Sequence, residues 1–158
     1  MFAKKSQKLN EEIIQIMCQD ALSKCPSPQV HLLLLGDNNL RHGKESVDSF
    51  ITKCNQIVSK FSSISNCHLI LSALIPSPET DAFSKFIFSE ANQKLKYICQ
   101  KNQNVSYLNL TKIFVINGVI DMELFCGYND VHLNSRGAKK LAKLIYAHVI
   151  HCELKLSF

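Results

Sequence analysis

The sequence predicts a three-layer α/β/α sandwich built on a parallel sheet, from three observations. Apolar runs of strand length at 30–35, 67–74 and 105–110 alternate with amphipathic stretches of helix length. The first runs are continuously apolar, as in strands covered on both faces. The chain has 158 residues, 46% hydrophobic and 20% charged, which is one ordinary globular domain and excludes long disorder, collagen and a coiled coil.

Each element has a local cause. Residues 1–7 form a basic tail, expected to be flexible; the domain proper is expected over 8–153, with a tail at 154–158. Leu9, Ile13, Ile16, Met17 and Ala21 share a helical stripe, Asn10-Glu11-Glu12 supply cap chemistry, and Pro26 and Pro28 stop the helix. The first strand ends in a polar loop, GDNNLRHGKE. Beyond Ser46, a good N-cap, Val47, Phe50, Ile51, Cys54, Ile57, Val58 and Phe61 fall on one helical face. The second strand is CHLILSAL, closed by Ile75-Pro76. A helix over 81–101 is expected to turn Phe83, Phe86, Ile87, Ala91, Leu95 and Ile98 inward, leaving Phe88 at the mouth of a pocket. After the third strand, Asn117-Gly118 signals a tight hairpin. The last helix opens at Asn134-Ser135, with Ala138, Leu141, Ala142, Ile145 and Val149 inward.

Composition narrows the function classes. No apolar run approaches the ~18 residues of a membrane span, and the N-terminus has no signal-peptide core, so no membrane partner is expected. Seven cysteines show no CxxC pair, which fits a reducing, cytoplasmic compartment. His148, His151 and Cys152 have i, i+3, i+4 spacing but no evident fourth ligand, so a frayed helix end is preferred and neither a metal nor a cofactor is expected. The 18 Lys+Arg against 13 Asp+Glu, a net charge of +5, permit an acidic partner.

In a parallel sheet ligands bind beyond the carboxyl ends of the strands. Two polar segments lie there: Gly36-Asp37-Asn38-Asn39, and 128–134 before the last helix. A glycine after a buried strand permits a sharp turn, and an adjacent asparagine can donate to a developing oxyanion. A histidine held by a neighbouring carboxylate or amide can act as a general base.

Together these segments resemble two signature blocks of the SGNH (GDSL-type) hydrolase family. HLLLLGDNNLRHG is similar to its GxND block, and NDVHLNSRGAKKLAKLI to the block leading into its final helix. They stand 94 residues apart from Asn38 to His132, and the resemblance covers residues 9–150. It implies an SGNH-hydrolase-like, flavodoxin-like fold, with Gly36 and Asn38 matching the oxyanion-hole block and His132 matching the catalytic base. Two departures follow. The family's GDS serine block and first strand have no counterpart in the 29 residues before Val30, where Ser6, Ser23 and Ser27 lack its context. The family's acid, three residues before the histidine, is Asn129 here; Asp130, two residues before it, would have to substitute. Without the first strand, the edge of the strand at 30–35 is expected to be open because the sequence is a fragment, to be covered by the helix at 8–24, or to pair in a homodimer.

The resulting expectation is a non-catalytic binding module for RNA or protein. Its RNA-contact candidates are the basic strip Arg136, Lys139, Lys140 and Lys143 on the last helix. The OSK domain of the Oskar protein is a precedent, by fold alone, for RNA binding without esterase chemistry. The alternative is an acyl-ester hydrolase acting on a small ester, whose serine lies in a segment absent from this chain.

Overall fold

The computed structural model describes residues 29–64, 67–128, 130 and 132–156, with Gln15 and Gln19; otherwise the helix expected at 8–24 lies outside them, as does Asn129. β1 (Gln29–Leu33), β2 (Cys67–Ser72) and β3 (Val105–Leu108) form a parallel sheet in that order. The short α1 (Asp37–Leu40) and a 3₁₀ turn precede α2 (Val47–Ser62), which leads to β2. α3 (Ala82–Gln100) leads to β3. Both connections step the same way across the sheet, so right-handed crossovers place both helices on one face. The chain then makes α4 (Thr111–Phe114), the hairpin β4 (Val115–Ile116) and β5 (Val119–Ile120), and α5 (Ser135–Leu156), which covers the other face.

Two apolar layers result. Phe50, Cys54, Ile57, Phe61, Phe88, Ala91 and Leu95 pack on Leu33, Leu69, Leu71 and Val105. Ile70, Ala73 and Leu108 meet Phe114, Leu124, Phe125 and Cys152, with Val30, Leu32, Leu141, Ile145 and Val149 partly buried against them. Burying each large side chain contributes roughly 1.5–3 kcal/mol. The helices begin where their caps stand: Ser46 Oγ accepts from Ser49 N at 3.2 Å and Asp81 Oδ1 from Ser84 N at 2.6 Å.

Several expectations need correction. Phe83 and Phe86 are 59% and 68% exposed, whereas Phe88 is 1% exposed. The cause is Ser84, fully buried because its Oγ accepts the His42 backbone N–H at 3.1 Å, which rotates Phe83 outward over Gly43. On α5 Leu141, Ile145 and Val149 turn inward as expected, joined by Gly137, Leu144, His148 and Cys152, while Ala138 and Ala142 are exposed. β1 stops at Leu33, and Val30, His31 and Leu32 are only partly buried. It lies at the sheet's end with no strand beyond it among the described residues. The loop GDNNLRHGKE is largely α1 and the 3₁₀ turn.

At its end a partly buried polar knot ties α1 to α2. Glu45 accepts from Asn39 Nδ2 at 2.5 Å, Ser49 Oγ at 2.6 Å and Lys53 Nζ at 2.5 Å. Burial alone would raise the Glu45 carboxyl, but hydrogen bonds from Lys53, Ser49 and Asn39 outweigh it and hold the group below its ordinary 4.5. A depressed carboxyl stabilises the fold above its unfolded-state value and loses that contribution as pH falls through the folded one. Glu45→Gln is therefore expected to cost about 1–3 kcal/mol at neutral pH and to shrink the loss of stability on acidification. Urea midpoints measured from neutral to strongly acidic pH check this; an unchanged pH slope refutes it.

Candidate active site

The first half of the site is the turn leaving β1. Gly36 is buried with φ 105°, a conformation that favours glycine, and a Cβ there would lie 2.6 Å from Phe50 Cζ and 2.8 Å from Leu74 Cδ2. Its carbonyl accepts from Asn39 N at 3.1 Å and Leu40 N at 2.9 Å, starting α1 and leaving Asn38 exposed. Arg41 fastens this turn. Its guanidinium donates twice to Asp37, through Nε at 3.1 Å and Nη2 at 2.6 Å, and Nη2 also donates to Ser77 Oγ at 3.1 Å. The exits of β1 and β2 are thereby joined. Beside them His42 Nδ1 lies 3.2 Å from Asp81 Oδ2, at the start of α3. Arg41, His42 and Asp81 were not foreseen; only the left-handed conformation of His42, φ 58°, sets them apart, and no sequence motif marks them.

The second half is the loop before α5. Phe125 and Leu133 form an antiparallel bridge, and Cys126 N donates to the His132 carbonyl at 2.9 Å. Within that closed loop His132 Nδ1 lies 2.5 Å from Asp130 Oδ1, and the same oxygen accepts the His132 backbone N–H at 2.8 Å. A carboxylate only accepts, so Nδ1 carries the proton and Nε2 is left as the base nitrogen. The side chain of His132 is 63% exposed. Asp130 thus holds the ring by bending back two residues. Among the described residues no serine hydroxyl bonds His132. Asn134 fixes the loop to α5: Nδ2 donates to the carbonyls of Glu123 at 2.8 Å and Phe125 at 2.9 Å, and Oδ1 caps Arg136 N and Gly137 N at 2.9 and 3.0 Å.

α5 fixes which end of the sheet this loop occupies. Near its C-terminus His148 Nε2 lies 3.0 Å from Ser106 Oγ, which is also 3.0 Å from His68 Nε2 and 3.6 Å from Cys152 Sγ. Ser106 and His68 stand toward the starts of β3 and β2, so α5 runs antiparallel to the strands. Its first turn, and His132 before it, therefore lie at the carboxyl end, where Gly36 and Asn38 also stand. The helix end is not frayed: His148 and Cys152 are drawn inward, His151 stays exposed, and no group of three or more His, Cys, Asp or Glu among the described residues is placed to hold a metal. A hydroxyl has one proton, so Ser106 donates to one imidazole and accepts from the other. Ser106→Ala is expected to cost about 1–2 kcal/mol by removing the hydroxyl that joins the two imidazoles. Denaturant unfolding measures it, and a loss below about 0.5 kcal/mol would show that Ser106 does not join the two histidines.

The basic strip is partly neutralised. Arg136 pairs with Glu123, and Lys140 Nζ lies 3.5 Å from Asp121 Oδ2, while Lys139 and Lys143 are exposed without an ion pair among the described residues. No described helix is long and apolar enough to cross a membrane.

No family model and no curated protein matches this sequence. Solved structures do. A Streptococcus pneumoniae protein provisionally described as a platelet activating factor superposes with a TM-score of 0.68 at 12% identity, over 90% of this chain and 68% of its own. A carbohydrate esterase family 3 protein from Talaromyces cellulolyticus superposes with a TM-score of 0.60 at 18% identity, over 78% of this chain and 58% of its own. The parallel sheet flanked by helices is thus the α/β fold that these two structures share.

Proposed function

We propose that this chain carries the base, acid and oxyanion-binding parts of an acyl-ester hydrolase site of the SGNH type. The observation that carries the reading is the 2.5 Å contact between His132 Nδ1 and Asp130, which sets the tautomer a general base needs. His132 Nε2 takes the proton of a serine hydroxyl as it attacks the ester carbonyl, and Asp130 orients the ring and stabilises the imidazolium. The Gly36 N–H and Asn38 receive the oxyanion. In this reading the attacking serine is one of this chain's own that lies outside the described residues; a serine in a segment absent from the chain would leave the chain unlabelled. A fluorophosphonate probe, read by intact mass on folded protein against a heat-denatured control, tests this. One adduct that disappears in His132→Ala supports it; no adduct on folded protein overturns it for this chain.

A second reading, a non-catalytic module for RNA, draws on exposed Lys139 and Lys143. It requires nucleic-acid binding that weakens with salt and is lost in Lys139→Glu/Lys143→Glu. A salt slope near zero overturns it.

A further inference from the structure

The β4–β5 hairpin contributes only its base to the core. Ile120 packs on the α5-side layer and Asp121 N donates to the Phe114 carbonyl at 2.8 Å. Its tip is rigid in conformation yet bare: Asn117 and Gly118 have φ of 51° and 78°, the pair of left-handed residues that matches strand twist. Ile116 and Val119, directly paired across the tip, are 52% and 68% exposed, and a Cβ on Gly118 would meet nothing within 4 Å.

Lysines stand near both feet of the hairpin. Lys112 and Val115, at the foot of β4, share a cleft of roughly 450 Å³ with Lys85 and Lys96, and no carboxylate lines it. At the foot of β5, Asp121 reaches Lys140, whose neighbours Lys139 and Lys143 have no acidic partner among the described residues. Among the described residues, the carboxylates just after the hairpin, Asp121 and Glu123, are engaged by Lys140 and Arg136.

We propose that the hairpin tip is a peripheral membrane contact for an anionic lipid surface. Ile116 and Val119 enter the headgroup boundary while Lys112 and Lys139 on either flank meet anionic headgroups. A bilayer suits both features at once, because it offers apolar depth beneath a sheet of negative charge. Nucleic acid would satisfy the lysines but leave two aliphatic side chains against phosphate, and the tip presents no aromatic ring for a base to stack on.

The test is co-sedimentation of the purified chain with vesicles of phosphatidylcholine alone and with about one third phosphatidylserine. Binding is expected only to the anionic vesicles and should fall as salt rises. Ile116→Ser/Val119→Ser should lower the partition about tenfold or more, with little change in the melting curve because both side chains are more than half exposed. Lys112→Glu/Lys139→Glu should weaken it by about fivefold per lysine. Wild-type partition by the tip variant overturns the proposal, as does absence of wild-type binding, including the case where the chain binds a short single-stranded RNA instead. Fluorophosphonate labelling by a soluble probe should be the same in the tip variant, so this proposal and the hydrolase reading fail separately.

Discussion

Gly137→Ala is expected to lower stability by about 3 kcal/mol, a large share of the whole stability of a domain. Two effects compete. Alanine is the better helix former, by about 1 kcal/mol in a helix interior. Against that, a Cβ on Gly137 would intrude on the Leu124 carbonyl oxygen, with Leu124 Cβ itself 3.2 Å away. Neither atom can yield cheaply, because Leu124 is fully buried and its carbonyl accepts Asn134 N at 3.0 Å. The helix would have to lift, which also breaks the Asn134 cap, worth about 1 kcal/mol. Steric cost wins. For a domain of this size the melting temperature should drop by about 6–12 °C. An unchanged or raised melting temperature would show that α5 does not lie on Leu124.

Asp130→Asn is expected to slow fluorophosphonate labelling by about 10³–10⁴-fold, on the scale of the equivalent substitution in a serine-protease triad. The amide can present its NH₂ group to Nδ1, which favours the tautomer with its proton on Nε2 and removes the base. Asp130 also accepts the His132 backbone N–H, so collapse of the loop is the competing outcome. Circular dichroism and the melting curve separate the two: loss of labelling with an intact melt is the expected result. Asp130→Asn labelling at the wild-type rate would remove Asp130 from the proposed chemistry.

The α2 face was fully legible because its inward residues are all apolar and nothing polar competes. α3 was not, because its true phase is set by Ser84, a small polar residue buried by a hydrogen bond from a loop more than 40 positions earlier. Two phenylalanines outvoted it in any hydrophobic pattern. α5 misled in the same way: its close approach at Gly137 draws in the adjoining stripe, and alanines on the far side look apolar enough to be core. At the site, the positions of Gly36 and His132 followed from local chemistry and a resemblance in order and spacing. The pairing of Asp130 with His132 was legible there only as a substitution for Asn129, because it depends on loop closure between Phe125 and Leu133. An Asp-x-His sequence able to form such a turn was the available signal.

Chain order and sheet order coincide, and this has a consequence for biosynthesis. β1, α2 and β2 can assemble as soon as they are made, and α3 with β3 add to a partner already in place, so one apolar layer is finished early. The other layer needs α5, which ends roughly fifty residues after β3 and takes about 2–10 s more to synthesise. Throughout that interval Val30, Leu32, Ile70 and Leu108 face outward from a sheet that already exists. A ribosome-bound chain would then present a ready-made sticky surface, the kind of nascent intermediate that chaperones engage, until the last helix closes over it.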